Sequence, residues 1–570
     1  MTSDADRRSA QRDAASGPGR GDPRWRLSRD PLSPAMGALS PGEPGRWIVI
    51  LVILGVLVRS TRYFLRFPLW SDESFLAIQF TERGYGELTG ALDYRQVAPF
   101  LFLWVQLTGV KLFGFNEYSL RLLPFASGLL SLFLFVHVSR ALLKGASLVL
   151  AVGIFAVAYP LVRYSAELKP YGSDVLVAMI LLTLTVSWWK DGGRTRWLWA
   201  LAAFVPLACG FSYPSVFLAG GIGLVTFFGL WESGSRRGWI AWAAYHVALV
   251  GGVVVLFVVS ASAQSTSELE WMRRFWNEAF PPLASPLKIP GWLLRQFTGE
   301  LLPYPVGGKR GASSLSFVCC LVALASLYRS RRFGVLLLST SPVVLNLVAA
   351  ALKRYPFGPT RCELYLGPIF CLLTGLGAAT LIGWCVRRPA GRRVAVLATL
   401  AVLVSIGVGS MARDFRRPAK TLSDLRARDF ARWFWFTSEF DAETVCLVDD
   451  SPLSYRRRSR KMQSSLVSFV CYRRIYSPAW GRGEAPSLER VAVKGRLRCV
   501  DYRVRGKYDE RGRAAWIKRM ESRYRLAEKQ TFAFPRFNKA EEDLQGIDYV
   551  DVFTFVPRQG NGAVEPTEKN

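Results

Sequence analysis

The segment WIVILVILGVLVRSTRYFL, residues 47–65, is followed almost at once by FPLWSDESF, residues 67–75. The first stretch is apolar over about the 20 residues that a helix needs to cross a bilayer. The second places two carboxylates, Asp72 and Glu73, beside Trp70 and Phe75 where the chain leaves the bilayer. Acidic groups are costly to desolvate there, so they need a partner or a function. An exposed loop with two solvated acids is the simpler alternative.

The composition of the whole chain indicates a membrane protein. The chain has 570 residues, 51% of them hydrophobic, with 19 Trp and 36 Phe, and its mean hydropathy is +0.19. Aromatic residues in such numbers are typical of interfacial belts. The formal net charge is +30, and much of this excess lies in short loops between apolar runs. We therefore expect membrane lipids as partners and no nucleic acid.

Further apolar runs follow residue 65, each near the length that a bilayer requires. They lie near residues 121–140, 146–163, 174–189, 197–211, 214–231, 239–260, 313–328, 333–351, 364–386 and 394–411. One more run, Pro99–Phe115, is ambiguous. If it does not cross, the basic loops near residues 140, 193, 236, 330 and 390 all lie on the side of the N-terminal tail, as the positive-inside rule requires. We therefore predict about eleven crossings, with Pro99–Phe115 as an interfacial helix in a long outer loop.

The chain divides into three parts by composition. Residues 1–46 are rich in Arg, Asp, Ser, Pro and Gly, which predicts a disordered cytoplasmic tail. Residues 47–411 form the predicted transmembrane domain. Residues 412–570 are polar, with β-type runs at 444–448, 466–472, 497–502 and 549–555 and helical patterns at 425–436 and 514–527. The expected fold class is an α-helical polytopic membrane protein with a soluble, extracytoplasmic C-terminal α/β domain.

Cysteine and histidine usage limits the metal chemistry. The nine Cys form no CxxC pair, and His137 and His246 both lie in apolar runs, which excludes a His-rich metal site. Cys446, Cys471 and Cys499 lie on or beside three of the predicted strands. Outside the membrane, two of them could form a disulfide, and three buried strand cysteines are the alternative.

Two polar turns between apolar helices fall on the same predicted side as Asp72. The first, residues 163–174, carries Glu167 and Lys169. It indicates either a polar cavity or a turn held by its own ion pair. The second, residues 353–361, carries cations where the positive-inside rule disfavours them. Arg354 and Arg361 could grip a phosphate there, with lipid headgroups as the alternative ligand.

A long outer loop, residues 261–312, lies on this side as well. It is rich in Trp and Pro, and loops of this length are usually functional or disordered. It could act as a lid on the membrane surface or as a passive interfacial anchor.

Four short motifs occur in this order along the chain. They are Asp72-Glu73, Asp93-Tyr-Arg-Gln-Val-Ala-Pro99, Gly114-Phe-Asn-Glu-Tyr-Ser-Leu-Arg121-Leu-Leu-Pro124 and Tyr164-Ser-Ala-Glu-Leu-Lys-Pro-Tyr171. Together they resemble the GT-C membrane glycosyltransferases, in the bacterial branch near the protein O-mannosyltransferases and the lipid A aminoarabinose transferases. The resemblance covers residues 47–190 by motif and 190–411 by hydropathy pattern, and it does not cover 412–570. Lys169-Pro170 departs from relatives, which more often carry Arg followed by a residue other than proline.

The resemblance implies a membrane glycosyltransferase that moves a hexose or pentose from a polyprenyl-phosphate carrier to an acceptor. The acceptor would be a glycan, a lipid or a protein at the outer face of the plasma (inner) membrane. The N-terminus would then be cytoplasmic and the C-terminal domain extracytoplasmic. Inverting transfer needs a carboxylate to deprotonate the acceptor and cations to stabilise the departing phosphate.

The same resemblance assigns roles to residues. Asp72 is the predicted catalytic base, and Glu73 would position the acceptor or assist. Glu167 would orient a sugar hydroxyl or pair with Lys169. The predicted substrate-binding residues are Tyr94, Arg95, Glu167, Lys169, Tyr171, Arg354 and Arg361. No cofactor or metal is predicted, although a divalent metal on two carboxylates stays an alternative.

Two other functions were weighed against this one. A transporter or flippase of a lipid-linked sugar would place ionisable groups near the bilayer midplane and often shows repeated halves. The sequence has neither feature. A membrane anchor for residues 412–570 would leave the polar clusters between residues 67 and 361 without a role.

Overall fold

The structure is a computed structural model of the chain. It describes residues 38–40, 42–261, 266–306, 313–434, 444–447, 467–476, 497–503, 510–535 and 547–558. Most of the predicted tail, residues 1–46, therefore lies outside the described residues.

All the predicted crossings are helical, and shorter helices lie between them. In chain order the helices are α1 (Glu43–Phe64), α2 (Ser71–Ala77), α3 (Gln79–Glu82), α4 (Phe100–Phe113), α5 (Glu117–Leu142), α6 (Gly145–Val157), α7 (Tyr159–Tyr164), α8 (Tyr171–Lys190), α9 (Thr195–Phe211), α10 (Ser215–Ser233), α11 (Arg236–Leu256), α12 (Thr266–Phe275), α13 (Ile289–Thr298), α14 (Ser314–Arg329), α15 (Phe333–Ala351), α16 (Gly367–Cys385), α17 (Pro389–Arg416), α18 (Leu422–Arg432), α19 (Val467–Tyr476) and α20 (Glu510–Arg523).

Length and apolar composition identify the membrane-crossing helices. Within the described residues, eight helices are long and apolar enough to cross: α1, α5, α8, α10, α11, α15, α16 and α17. The other predicted crossings, α6, α9 and α14, are apolar helices of 13, 17 and 16 residues. The protein is therefore a multi-pass, mainly helical membrane protein, as predicted.

The run predicted at 146–163 is broken into α6 and α7. Pro160 lies in the first turn of α7 and has no backbone N–H, so it cannot continue the hydrogen bonding of α6. The buried guanidinium of Arg59, on α1, donates to the backbone oxygens of Ala156 at 2.7 Å and Phe155 at 3.2 Å. The backbone oxygens left free at the end of α6 thus accept hydrogen bonds from a side chain of a neighbouring helix.

Contacts between helix ends determine which ends share a face. Tyr63, at the end of α1, donates its hydroxyl to the backbone oxygen of Tyr118, at the start of α5, at 3.0 Å. Because α1 ends where α5 begins, the intervening α4 does not cross. Arg62 on α1 pairs with Asp414 on α17 at 2.8 Å, and the starts of the same two helices are joined by a second ion pair. The first and last crossings therefore run in the same direction, as an odd number of crossings requires.

The C-terminal part contains a four-stranded sheet. Its strands are β1 (Thr444–Leu447), β2 (Leu497–Arg503), β3 (Tyr524–Pro535) and β4 (Ile547–Pro557). They lie in the order β1-β2-β4-β3, with β1 and β2 parallel and the other pairs antiparallel. Because side chains alternate along a strand, Leu497 and Phe553 cluster with Trp516 and Met520 of α20. This is the α/β content expected beyond residue 412.

The opposite side of the sheet belongs to the same hydrophobic cluster as the loop that carries Asp72. Val500 and Val552 lie in that cluster with Leu69, Leu76 and Phe80. Burial of apolar surface is the main driving force of folding, so the loop that carries Asp72 and the C-terminal part stabilise each other. The proposed boundary between residues 411 and 412 stays a prediction.

Two predictions for the C-terminal part are wrong in detail. Residues 466–472 were expected to form a strand, but α19 covers Val467–Tyr476, and a short apolar run does not distinguish strand from helix. Phe469 and Tyr472, three residues apart, are both buried and share one cluster, as on one side of a helix. Cys471 is therefore a helix residue, with its Sγ 3.6 Å from the backbone oxygen of Ser74.

The helical pattern predicted at 514–527 ends early, because β3 begins at Tyr524. The side chain of Cys446 lies outside the described residues.

The relative sidedness of the loops can be tested by cysteine labelling. In a cysteine-free background, we expect Gly86→Cys and Arg354→Cys to react with an impermeant maleimide from one face. Arg194→Cys and Ala390→Cys should react from the other face, and all four should react after permeabilisation. If α4 crossed the membrane, Gly86→Cys and Arg354→Cys would react from opposite faces.

Candidate functional site

The short helix α2, which carries Asp72, is fixed by its neighbour Glu73. The Glu73 carboxylate accepts two hydrogen bonds from Arg121, at 2.9 Å from Nε and 2.7 Å from Nη2. The same carboxylate accepts the backbone N–H of Leu168 at 2.7 Å. Arg121 also donates to the backbone oxygen of Phe67 at 2.6 Å. One buried pair therefore joins residues 67–75, α5 and the turn 164–171, and a bidentate contact of this kind restricts geometry strongly.

Asp72, by contrast, faces a partly open site. Its Oδ2 lies 3.4 Å from Nη1 of Arg361, and the two side chains are 29% and 24% exposed. This distance is longer than a tight charge-assisted bond of about 2.7–2.9 Å. The Arg361 guanidinium also lies over the ring of Trp276, 4.5 Å from its centroid. The structure thus brings together a predicted base and a predicted phosphate ligand that are far apart in the sequence, and a substrate can reach both.

Lys169 supplies a second cation beside this pair. Its side chain is buried, and its Nζ donates to Oε1 of Gln96 at 2.7 Å. Burial lowers the pKa of Lys169 to about 8, an effect that nearby Asp72 opposes and Arg361 reinforces. Lys169 is therefore close to both residues and carries a proton that is easily lost above neutral pH.

Glu167 pairs with a different cation from the one expected. Its Oε1 accepts from Nε of Arg163 at 2.6 Å, one helical turn earlier. Burial alone would raise the pKa of Glu167, but Arg163 and Lys420 outweigh it and hold that pKa below its usual range. Of the two roles predicted for Glu167, the pairing with Lys169 is therefore wrong, because Arg163 is bound to Glu167 and Lys169 to Gln96. The other role, orienting a sugar hydroxyl, stays a prediction.

Tyr94 and Arg95 lie in a strained turn at the edge of the site. Both have positive φ, 57° and 55°, which is uncommon for residues other than glycine. The ring of Tyr94 stacks on Phe75 at 5.1 Å. The Arg95 guanidinium lies over Trp271 of α12, 4.7 Å from the ring centroid. Trp271 on α12 and Trp276 directly after it thus contact Arg95 and Arg361.

The remaining two predicted residues differ in position. Tyr171 begins α8 with its ring edge-on to Tyr164 at 5.0 Å, and it lies near Arg361. Arg354 is exposed on the turn after α15, and no contact among the described residues joins it to Asp72 or Arg361. The neighbouring Lys353 lines an open cavity of about 530 Å³ with residues 273, 274, 277 and 280.

The turn that carries Arg361 is held by a buried carboxyl, Glu363. Its two oxygens accept from Nδ2 of Asn346, on α15, at 2.5 and 2.6 Å, and Oε1 accepts the N–H of Gly358 at 3.3 Å. Burial raises the pKa of Glu363 to about 8, partly offset by these hydrogen bonds. Burial therefore favours the neutral form of Glu363, and this carboxyl links α15 to the turn.

Several residues of the site were not predicted from the sequence. Arg121, Gln96 and Glu363 each lie within or directly beside a motif that was recognised, yet none was assigned a role. Lys420 lies beyond the last crossing, where no motif points to it. Among the described residues, no group of three His, Cys, Asp or Glu side chains is placed to hold a metal ion.

The buried pair of Glu73 and Arg121 should be essential to the fold. We expect Glu73→Ala and Arg121→Ala each to lower the free energy of unfolding by about 3–5 kcal/mol, because each leaves a buried charge without its partner. Melting temperatures in one detergent would measure this, with the exposed Glu232→Ala as control. A double replacement of Glu73 and Arg121 by Leu should cost less than the two alanine changes added together; full additivity would contradict the pairing.

Glu363 should make stability depend on pH in a defined direction. The folded chain keeps the Glu363 proton up to about pH 8, whereas an unfolded glutamate releases it near its usual pKa of 4.5. The unfolded state therefore binds fewer protons, and stability should fall as pH rises between these values. Glu363→Gln should flatten this part of the stability curve, while Glu363→Ala should cost about 1–3 kcal/mol throughout. An unchanged curve in Glu363→Gln would show that this carboxyl is ionised in the fold.

Part of the chain matches the model of a known protein family. Residues 97–263 match the family model described as dolichyl-phosphate-mannose-protein mannosyltransferase. No sequence among the curated proteins matches.

Several solved structures are similar over most of the chain. ArnT from Cupriavidus metallidurans in the apo state has 13% sequence identity, with 89% of this chain and 98% of that one covered and a TM-score of 0.46. The same protein bound to undecaprenyl phosphate has the same identity and coverage and a TM-score of 0.42. The Archaeoglobus fulgidus oligosaccharyltransferase tethered with an acceptor peptide has 11% identity, 75% and 63% coverage, and a TM-score of 0.41. It is the family match over residues 97–263, which contain the motif 164–171, that confirms the resemblance to membrane glycosyltransferases predicted from the sequence.

Proposed function

We propose that this protein is a membrane glycosyltransferase that takes a sugar from a polyprenyl-phosphate carrier and transfers it to an acceptor glycan, lipid or protein. The description of the matched family names a donor of this class, dolichyl-phosphate-mannose. Residues 97–263 include Lys169 but neither Asp72 nor Arg361. The proposal therefore also needs support from the geometry of the site.

The observation that carries the proposal is the group formed by Asp72, Arg361 and Lys169. A carboxylate and two cations meet at a partly open position between the outer ends of the helices. Glycosyl transfer from a lipid phosphate requires a base for the acceptor and positive charge for the leaving phosphate. A transporter would not need a carboxylate base in contact with a phosphate-binding cation.

The reaction can be written on these residues. The acceptor hydroxyl oxygen attacks the anomeric carbon of the donor sugar while Asp72 accepts the hydroxyl proton. The bond between the anomeric carbon and the phosphate oxygen breaks, and the electron pair leaves with the phosphate. Arg361 and Lys169 stabilise the negative charge that develops on the leaving oxygen. A direct displacement of this kind inverts the anomeric centre.

The other predicted residues support this group from a distance. Glu73 positions α2, and hence Asp72, through its pair with Arg121. Glu167 is held by Arg163 and faces the same polar cluster. We propose that Tyr94, Arg95 and Tyr171 form the wall against which the donor lies, and that α12 covers it. Arg354 stays a weaker candidate, because its exposed side chain has no contact with this group.

The site is proposed to face the outside of the plasma (inner) membrane, with the C-terminal part extracytoplasmic. The basic loops near residues 140, 193, 236, 330 and 390 connect helices at the end opposite Asp72. The positive-inside rule assigns these loops to the cytoplasm. The donor would then be a lipid presented in the outer leaflet.

Asp72→Asn is the decisive variant. It keeps the size of the side chain and removes its basicity, so we expect turnover to fall by about two to four orders of magnitude. Binding of undecaprenyl phosphate and the melting temperature should stay near those of the wild type. Transfer from a panel of radiolabelled polyprenyl-phosphate sugars by purified protein would measure the loss. Near-wild-type turnover in Asp72→Asn would end the catalytic assignment.

A comparison of the two arginines of the 353–361 turn extends this test. Arg361→Ala should weaken binding of the lipid phosphate by about ten- to a hundredfold, as expected for a lost charge-assisted contact. Arg354→Ala should change it little. Equal effects of the two variants would indicate that the whole turn attracts anionic lipid headgroups in general, without a specific contact from Arg361.

A further inference from the structure

A cation from beyond the last crossing, Lys420, lies beside the start of α2, the helix that carries Asp72. The helix α17 ends at Arg416, and the chain then turns back toward the loop that carries Asp72. Nζ of Lys420 lies over the ring of Trp70, 2.8 Å from its centroid. Trp70 directly precedes α2. Lys420 therefore lies at the base of the helix that presents Asp72, although some 350 residues separate the two in the chain.

The side chain of Lys420 is half-buried among polar groups. Burial lowers its pKa to about 8. Glu167, Glu73 and Asp424 oppose this change, and Arg163 adds to it. These groups belong to the turn 163–171, to α2 and to α18. Lys420 thus shares two nearby carboxylates, Glu73 and Glu167, with Lys169.

The nearby carboxylates are already bound to other partners. Glu73 is paired with Arg121 at 2.7 Å and Glu167 with Arg163 at 2.6 Å. Asp424 accepts the hydroxyl of Thr421 at 2.6 Å. Within the described residues, no carboxylate lies at ion-pair distance from Lys420. A half-buried ammonium group that contacts an aromatic ring but no carboxylate can take an anion as a further partner.

The position of Lys420 is held from both sides by the C-terminal part. Thr421 caps α18, and Arg428 on that helix donates to the backbone oxygen of Arg66 at 2.8 Å. The hydroxyl of Tyr472, on α19, accepts the backbone N–H of Leu69 at 2.7 Å. Both contacts fall on the residues just before α2. The segment that bears Lys420 is therefore anchored to the stretch that bears Asp72.

We propose that Lys420 is a further phosphate-binding residue of the donor site, supplied by the segment that joins the membrane domain to the C-terminal part. The inference rests on the proposed function and adds a ligand group that no motif of the sequence contains. Its anionic partner is the phosphate of the polyprenyl carrier. Part of the role of residues 412–570 is then to hold this cation against the site.

Binding of undecaprenyl phosphate to the full-length protein tests the proposal. Lys420→Met keeps most of the apolar stem and removes the charge, and it should raise the Kd by about ten- to a hundredfold. Lys420→Arg should restore much of the affinity. Arg417→Met removes an exposed cation three residues earlier and should leave the Kd unchanged.

The pH dependence separates phosphate binding from a structural role. The difference in Kd between wild type and Lys420→Met should narrow as pH rises from about 7 to 9.5, because Lys420 itself loses its proton in this range. A purely structural contribution would lower the melting temperature of Lys420→Met and change its Kd equally at every pH; that result would overturn the proposal. So would an unchanged Kd in Lys420→Met at pH 7. If the wild-type protein did not bind undecaprenyl phosphate at all, the proposed function itself would fail, and this inference with it.

Discussion

The ion pair between Glu73 and Arg121 is the constraint on which the geometry of the site depends. Removing two charges from water costs several kcal/mol per ion, so a buried pair persists only when its other hydrogen bonds are satisfied. Here they are, because the carboxylate also accepts from Leu168 and the guanidinium also donates to Phe67. Three segments that are far apart in the chain are fixed by one contact. Asp72 can then be left partly exposed, since its position is set by the residue beside it.

The helices could be predicted from the sequence because the requirement that creates them is local. Each crossing must satisfy its own backbone hydrogen bonds and cover about 30 Å of hydrocarbon, so composition over about twenty residues identifies it. Charge in the loops then excluded a crossing at α4, and the contact between Tyr63 and Tyr118 agrees. Asp72, Lys169 and Arg361 could be identified as candidate site residues for a related reason. An ionisable group at a membrane boundary is unfavourable, and it is therefore conspicuous in the sequence.

The partners of these residues could not be predicted, because pairing depends on tertiary structure. Nothing local distinguishes Arg121 as the partner of Glu73, or Gln96 as the acceptor for Lys169. Glu167 shows the limit clearly, since two cations lie within four residues of it and its actual partner is Arg163. Cys471 shows a second limit. A seven-residue apolar run fits a strand and a helix equally well, and only its packing on α2 decides between them.

The shared hydrophobic cluster of the outer loop and the C-terminal part has a consequence for cooperativity. Leu69 and Leu76 share one hydrophobic cluster with Phe469 and Val500 of the C-terminal part and with Leu120 of the spanning helix α5. The helix α2 is therefore held from two directions, by the pair of Glu73 with Arg121 on α5 and by the apolar contacts with the C-terminal part. The order of the loop that carries Asp72 therefore depends in part on the sheet. Any molecule that binds and stiffens the sheet lowers the entropy of that loop as well, so occupancy of the C-terminal part and order at Asp72 are thermodynamically linked without a change of shape.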